Sequence, residues 1–326
     1  MITDTSIFAL TSSVDLANKI AEKLNTKLSD IKVEHFEDGE ILVTPQESVR
    51  GRSVFLIQST CPPVTERLME VLICIDALKR ASAREINVIM PYFGYARQDR
   101  KAFPRQPITA KLVAELLQTA GANRVVTIDL HATQVQGFFD IPTDDLTSVP
   151  LLGNFFETHE NIDMENVVVV SPDHGGVKRA RNLADILNTP LAIVDKRRPR
   201  PNEVEAKNVI GDVEGKTCIV IDDICDTGGS LCAACQILKD KGAEKVYAAV
   251  THGVFSYDAM QTIQNSVIEK LVVTDTIPLS EEQMKQCNKI VQVSVAEMLA
   301  VTIDAIQNHS SVSRVYDKYL HKKLAI

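Results

Sequence analysis

Short apolar runs alternate along this chain with longer segments in which apolar residues recur at helical spacing. The runs are rich in valine and isoleucine, as expected for strands buried on both faces of a sheet, and they include residues 125–130, 167–170, 191–194 and 218–221. Segments with one apolar face, such as 64–81 and 177–187, lie between such runs. The alternation predicts an α/β protein in which helices flank a central, mostly parallel sheet.

A repeated pattern indicates two such sheets. Gly121-Ala122-Asn123-Arg124-Val125 leads to His131, and Gly242-Ala243-Glu244-Lys245-Val246 leads to His252, with ten residues from glycine to histidine each time. The same pattern is also a common turn from a helix into a strand. Because 326 residues suit two average domains, we predict a first domain over residues 1–148 and a second over 149–306. Residues 307–326 are expected to pack back on the first.

The strand predicted at residues 218–221 runs into Asp222 and Asp223, then into a glycine turn and a helix. The turn is Asp226-Thr227-Gly228-Gly229-Ser230. Two glycines let successive N–H groups converge, and the helix N-terminus adds positive potential, so the turn suits a phosphate group. Carboxylates repel phosphate, and Asp222 and Asp223 therefore suit the vicinal hydroxyls of a sugar. The segment predicts a sugar phosphate site at the end of a parallel sheet.

A second loop of the same kind is Ser171-Pro172-Asp173-His174-Gly175-Gly176, which separates another strand from a helix. It predicts a phosphate or diphosphate site with Asp173 as a magnesium candidate, because Mg²⁺ takes one or two carboxylates together with phosphate and water oxygens. His131 follows a predicted buried strand, although a lone histidine is more often structural. Asp140 and Asp144 are weaker magnesium candidates.

Two further segments combine cations with a strand end. In residues 92–105, tyrosines and phenylalanine interleave with four cations, which suits an adenine base and a polyphosphate; an ordinary loop with buried aromatic rings is the alternative. Asp195-Lys196-Arg197-Arg198-Pro199-Arg200 follows the strand at 191–194. We interpret it as a mobile loop that closes on phosphates with Lys196 and Arg198, rather than as a solvated basic run.

Charge and composition exclude several classes of function. A net charge of −8 argues against a general nucleic-acid surface. Neither an apolar stretch of about 18 residues nor a signal peptide is found, so we expect a cytoplasmic protein without a membrane span. Cys232-x-x-Cys235 has no second pair at zinc spacing, which favours core packing. Residues 211–217 resemble a P-loop, but three residues separate the glycines where four are required.

The 222–230 segment resembles the loop that binds phosphoribosyl diphosphate (PRPP) in the type I phosphoribosyltransferase fold. Three more segments make nearly the whole chain similar to the ribose-phosphate pyrophosphokinase family, of the phosphate-activated class: residues 36–40 (Phe-Glu-Asp-Gly-Glu), 91–100 and 195–200. The resemblance implies two phosphoribosyltransferase-like α/β domains. It also implies transfer of the β,γ-diphosphoryl group of Mg-ATP to the C1 hydroxyl of ribose 5-phosphate, which gives PRPP and AMP for nucleotide, histidine, tryptophan and NAD synthesis.

The resemblance assigns roles to four groups of residues. It implies ATP binding by Phe36, Asp38, Gly39, Glu40, Arg97, Gln98 and Asp99. It implies ribose 5-phosphate binding by Asp222, Asp223, Asp226, Thr227, Gly228, Gly229 and Ser230. It implies a magnesium–phosphate site at His131 and Asp173, and catalytic roles for Lys196 and Arg198. It further implies a homo-oligomer, a hexamer in this family, in which residues 36–40 reach the ATP of a neighbouring subunit. By themselves, these five residues favour a solvated acidic turn.

Some features depart from the family pattern or leave alternatives open. Phe103-Pro104 stands where the family often has a further arginine and a small residue, and the chain continues beyond Tyr316, so regulation by phosphate and ADP is in doubt. A phosphoribosyltransferase that consumes PRPP would share the 222–230 loop but would leave residues 36–40 and 92–101 unexplained. A non-catalytic regulatory subunit would be expected to lose the loops that are intact here.

Overall fold

The chain comprises two compact units. The computed structural model describes residues 4–158, 162–197 and 206–316, with the backbone alone at residues 196, 197, 206 and 207. The first unit contains residues 4–147, 276–278 and 294–315. The second contains the remaining described residues, 148–275 with the same gaps, 279–293 and 316. The domain limits predicted above stay a prediction.

Five parallel strands form the sheet of the first unit, in the order β1-β4-β5-β6-β7. These strands are β1 (Thr5–Ala9), β4 (Ser53–Ile57), β5 (Glu85–Met90), β6 (Arg124–Ile128) and β7 (Thr143–Leu146). Its helices are α1 (Val14–Lys23), α2 (Val64–Arg80), α3 (Thr109–Ala120) and α9 (Ala296–Gln307). An antiparallel hairpin of β2 (Ile31–His35) and β3 (Ile41–Pro45) forms a separate sheet and packs on α2.

Seven strands form the sheet of the second unit, in the order β10-β9-β8-β11-β12-β13-β14, with only β10 antiparallel to its neighbour. They are β8 (Val167–Ser171), β9 (Leu191–Arg197), β10 (Ala206–Ile210), β11 (Thr217–Cys225), β12 (Lys245–Gly253), β13 (Leu271–Thr274) and β14 (Ile290–Val293). Its helices are α4 (Val149–Thr158), α5 (Val177–Leu187), α6 (Gly229–Asp240), α7 (Ala259–Gln264) and α8 (Glu281–Gln286).

The central strand β11 is apolar on both faces because each face has its own core. Cys218 and Val220 lie in the core with α6 and α7, whereas Ile219 and Ile221 lie in the core with α4 and α5. Side chains of a strand alternate between faces, so a strand covered on both sides must be apolar at every position. The predicted α/β class with mostly parallel sheets is confirmed.

Strand β9 is longer than predicted. The apolar run at residues 191–194 continues as strand to Arg197, because β10 pairs with it and sets Lys196 opposite Lys207. The first three residues of the predicted basic loop therefore have strand geometry.

Among the helices described, none is long and apolar enough to cross a membrane.

A buried carboxylate joins the carboxyl ends of β1 and β4 to helix α2. Glu70 is fully buried. It accepts hydrogen bonds from Thr11 Oγ1 at 2.6 Å, Gln58 Nε2 at 2.7 Å and Arg67 Nη1 at 2.7 Å. These donors replace the hydrogen bonds to water that the carboxylate loses on burial, so its charge is tolerated inside the unit.

We expect Glu70→Gln to lower the free energy of unfolding by about 2 kcal/mol, because an amide cannot accept from all three donors. The matched control is Asp76→Asn on the same helix, whose exposed carboxylate pairs with Arg80 at 2.6 Å. That exposed pair should contribute far less, because solvent screens its charges. Urea unfolding of both variants provides the measurement, and equal losses would contradict a special role for Glu70.

Candidate functional site

Neighbouring parallel strands of the second unit end at one edge of the sheet. The strands β9, β8, β11 and β12 are adjacent and parallel, so the segments that follow them converge there. This edge carries Asp195, the loop after Ser171, and the Asp222–Asp223 pair. Ligands of open α/β sheets bind outside the carboxyl ends of the strands, which makes this edge the candidate site.

The turn between β11 and α6 is held from one side by its carbonyl groups. The carbonyl of Cys225 accepts from the N–H of Val254 at 2.9 Å, and that of Asp226 accepts from Ser256 at 3.0 Å. Gly228 has a φ of 78°, which favours glycine, and directly precedes α6. The exposed members of the turn are Thr227, Gly229 and Ser230. The turn thus leads directly into the N-terminus of a 12-residue helix, a feature that suits an anion.

Two adjacent carboxylates and one arginine lie beside this turn. The side chains of Asp222 and Asp223 are 28% and 6% exposed. Nη1 of Arg179, in the first turn of α5, lies 3.3 Å from Asp222 Oδ1 and 3.2 Å from Asp223 Oδ1. Burial and the charge of Asp223 raise the pKa of Asp222 to about 7, whereas Arg179 acts in the opposite direction. The carboxyl group of Asp222 therefore gains or loses its proton near neutral pH.

Sequence reasoning missed Arg179. Its helix carries Lys178, Arg179 and Arg181 in close succession, and nothing in the sequence distinguishes the middle cation. In the structure, Lys178 and Arg181 are exposed, whereas the side chain of Arg179 is only 16% exposed. Only the position of α5 relative to β11 reveals which cation meets the carboxylates.

The loop after β8 lies next to the basic segment. Asp173 is exposed, and its Oδ1 accepts from the N–H of Gly176 at 3.0 Å. Nε2 of His174 lies 3.0 Å from Oδ1 of Asp195, the residue immediately before Lys196. The structure thus joins the Asp173 loop to β9 at the residue before Lys196. Arg198 lies outside the described residues.

The predicted metal residues form no complete protein cage. Among the described residues, no group of three or more histidine, cysteine, aspartate or glutamate side chains could hold a metal ion. Asp173 alone suits Mg²⁺, which takes few carboxylates when phosphate and water supply the other oxygens. The imidazole of His131 is a poorer ligand for Mg²⁺ and suits a phosphate contact better. Asp144 forms an ion pair with Arg124, which makes it a weaker candidate still.

In the first unit, the first two aromatic residues of the 92–105 segment lie in the interior. Tyr92 and Phe93 are 6% and 3% exposed, and Phe93 packs edge-on against Phe139. The N–H of Gly94 donates to Thr60 Oγ1 at 2.7 Å, and a Cβ at Gly94 would lie 2.6 Å from the Thr60 carbonyl oxygen. The expectation that these two rings stack on a base is therefore wrong, since they anchor the loop instead.

Polar residues further along this loop remain available to a ligand. Arg97 and Gln98 are exposed. Asp99 Oδ2 accepts from Nε2 of Gln134 at 2.7 Å, in the short 3₁₀-helix that follows the exposed His131. The structure thus brings the segments of Asp99 and His131 together at the carboxyl ends of β5 and β6.

The predicted turn between β2 and β3 forms at residues 36–40. The N–H of Phe36 donates to the carbonyl of Glu40 at 2.8 Å, and Asp38 Oδ1 accepts from the N–H of Glu40 at 3.1 Å. Gly39 has a φ of 91°, and Phe36 is 55% exposed. These hydrogen bonds join residues of the turn to one another, and the ring of Phe36 is exposed beside them.

Comparisons with known proteins agree with this arrangement. Residues 5–121 match the model of the N-terminal domain of ribose phosphate pyrophosphokinase, and residues 197–317 match that of the phosphoribosyl synthetase-associated domain. The ribose-phosphate pyrophosphokinase of Bacillus caldolyticus is 56% identical over 95% of this chain and 97% of its own length. That of Listeria ivanovii is 55% identical over 95% of this chain and 96% of its own length.

A solved structure gives the same result in three dimensions. The phosphoribosylpyrophosphate synthetase from Mycobacterium smegmatis matches with a TM-score of 0.88 at 41% identity, over 94% of this chain and 100% of the other. Sequence and fold thus agree over almost the full length. The chain belongs to the ribose-phosphate pyrophosphokinase family.

Proposed function

We propose that this enzyme transfers the β,γ-diphosphoryl group of ATP to the C1 hydroxyl of ribose 5-phosphate, giving PRPP and AMP. The observation that carries the proposal is the order of groups along β11 and α6. Paired carboxylates that accept from hydroxyls directly precede a glycine turn that suits a phosphate dianion. A pentose phosphate carries hydroxyls at one end and a phosphate at the other, so it can bind both groups.

The two ends of the pentose ester have different binding partners. Its phosphate binds the amides and hydroxyls of Asp226, Thr227, Gly228, Gly229 and Ser230. Its C2 and C3 hydroxyls donate to Asp222 and Asp223. These contacts orient the anomeric hydroxyl, and such positioning supplies much of the catalysis in phosphoryl transfer.

The nucleotide binds at the exposed polar part of the first unit. Arg97 contacts its phosphates, and Gln98 and Asp99 also bind the nucleotide. We further propose that the enzyme is a homo-oligomer, a hexamer, in which the turn at residues 36–40 holds the adenine and ribose of a neighbouring subunit's ATP. The exposure of Phe36, 55%, supports this, because a ring at the tip of a hairpin otherwise stays in water.

Charge neutralisation is the main chemical task. The anomeric oxygen loses its proton and bonds to the β-phosphorus, while the bond from that phosphorus to the α–β bridging oxygen breaks and AMP leaves with the oxygen. Lys196 and Arg198 neutralise the charge of the migrating group. Bound Mg²⁺ would neutralise further charge on the phosphates; we assign Asp173 as its carboxylate ligand and His131 as a further contact of the metal and phosphates.

The location we propose is the cytoplasm. All seven cysteines are free thiols, and free thiols persist in a reducing compartment.

The test is an assay of the purified chain for AMP and PRPP from ATP and ribose 5-phosphate, with no nucleobase added. Formation of both products supports the proposal. A chain that makes nucleotide only from PRPP and a base would be a phosphoribosyltransferase. A folded chain with neither activity would be the non-catalytic subunit. Repeating the assay with inorganic phosphate and with ADP shows whether the replacement at Phe103-Pro104 alters regulation.

Lys196→Ala should lower kcat by about 100-fold or more while leaving unfolding nearly unchanged, because the lost cation acts mainly on the transition state. The control is Lys245→Ala, at the exposed start of β12 and thus at the opposite edge of the same sheet. Steady-state kinetics and a thermal melt provide the measurements. Turnover near that of the wild type would refute the role of Lys196.

Asp222→Asn should stabilise the fold and weaken substrate binding together. Asp222 ionises near pH 7 in the folded chain but near its ordinary value of 3.8 when unfolded, so the contribution of the neutral carboxyl is lost as the pH rises towards 7. The variant stays neutral, so its advantage in stability should grow from pH 4 to 7 and then remain constant. KM for ribose 5-phosphate should rise about tenfold. Urea unfolding at pH 5 and 8 checks the first effect; lower stability at pH 8 would contradict it.

A further inference from the structure

We infer that Arg179 is a positioning residue of the pentose site: it fixes Asp222 and Asp223 as a pair of hydrogen-bond acceptors and thereby sets the preference for a sugar with both vicinal hydroxyls. This inference rests on the proposed function, since it concerns the sugar that this site accepts. No role for Arg179 follows from the sequence motifs of the site.

The first support is the geometry of the contact. One nitrogen, Nη1 of Arg179, approaches Oδ1 of Asp222 at 3.3 Å and Oδ1 of Asp223 at 3.2 Å. Oδ1 of Asp222 also accepts from the backbone N–H of Asp223 at 2.9 Å. Three donor contacts therefore converge on the Oδ1 atoms and fix the rotation of both carboxylates.

The second support is the electrostatics of adjacent carboxylates. Both side chains are largely removed from water, and a pair of ionised carboxylates at such a site repel each other. The charged groups that face Asp222 are Asp223 on its own strand and Arg179 from α5; the thiol of Cys225 lies nearby on β11. Arg179 is thus the cation that favours the ionised pair. Without it, the pKa of Asp222 would rise further, and the protonated form, in which one acceptor has become a donor, would persist to higher pH.

The third support is the place of Arg179 in the fold. It follows the Asp173 loop by one helical turn, and its side chain reaches β11 at the start of the phosphate turn. The β8–β11 pairing ends at Val170 and Val220, two residues before Asp222. Beyond that point, the guanidinium group joins the two segments in place of backbone hydrogen bonds. Loss of Arg179 should therefore displace the acid pair relative to the phosphate turn.

The alternative is that Arg179 merely stabilises the second unit. A structural ion pair would, when broken, lower stability and affect all substrates alike. A positioning role predicts a selective effect on the pentose. It also predicts that loss of Arg179 weakens the preference for ribose 5-phosphate over 2-deoxyribose 5-phosphate. The deoxy sugar binds less well because it leaves one acceptor unpaired, and this difference disappears when the acceptor is no longer correctly placed.

The experiment compares the full-length wild type with Arg179→Met, Arg179→Lys and Arg181→Met, an exposed arginine on the same helix serving as control. For Arg179→Met, KM for ribose 5-phosphate should rise about 10- to 100-fold, with KM for ATP within about twofold of wild type. The preference over 2-deoxyribose 5-phosphate should fall about fivefold or more. Arg179→Lys should give intermediate values, because it keeps the charge but not the planar fork, and Arg181→Met should match wild type.

Thermal melts and direct titration calorimetry with ribose 5-phosphate separate the possible failures. A folded Arg179→Met with unchanged KM and preference would overturn the inference. So would an equal loss for both sugars and for ATP. If Arg179→Met does not fold, Arg179→Lys decides: wild-type preference in that variant overturns the inference, and a reduced preference supports it. If the wild type forms no AMP, the proposed function fails, and the calorimetric preference of each variant for ribose 5-phosphate still tests Arg179.

Discussion

The parallel pairing of β11 with β8 and β12 is the constraint on which the second unit depends. Parallel strands cannot be joined by short hairpins, so each must be followed by a crossing segment, and every such segment starts at the same edge. Here those starts carry the Asp173 loop and the Asp222–Asp223 pair, and Asp195 lies at the same end of the neighbouring strand β9. Chemistry that needs several charged groups from distant parts of the sequence therefore follows from the hydrogen bonding of strands whose own residues are apolar.

The site differs from the interior because it contains carboxylates whose ionisation is unfavourable. Burial raises the pKa of Asp222 because ionisation at that position costs more than in water, and the charge of Arg179 and the backbone N–H of Asp223 oppose the effect only in part. The buried Glu70 of the first unit is the contrast: the side chains of three residues in the same unit donate hydrogen bonds to it. A carboxylate that is saturated by the protein stabilises the fold, whereas one that must accept from a substrate cannot be saturated in advance.

Local patterns predicted the elements, and long-range packing explains what they missed. Buried strands, the 36–40 turn and the glycine turn before α6 were predicted because apolar runs and glycines act within a few residues. Gly121 and Gly242 both adopt positive φ at helix ends, so the repeated pattern is real at its start. At its other end it differs: His131 is exposed and His252 is 2% exposed. The burial of Tyr92 and the contact of Arg179 depend on partners distant in sequence, and the extension of β9 depends on its pairing with β10.

The cysteine beside the phosphate turn shows the same effect of burial on ionisation. Cys225 ends β11 directly before Asp226, and it is 2% exposed. Burial raises the pKa of its thiol to about 12, with the nearby carboxylates contributing in the same direction, so the sulfur stays neutral at physiological pH. A thiolate there would oppose a phosphate dianion. A buried neutral thiol instead fills the space under the turn and adds no charge. Burial therefore keeps negative charge low where the phosphate is expected, while Asp222 and Asp223 concentrate it where hydroxyls are expected.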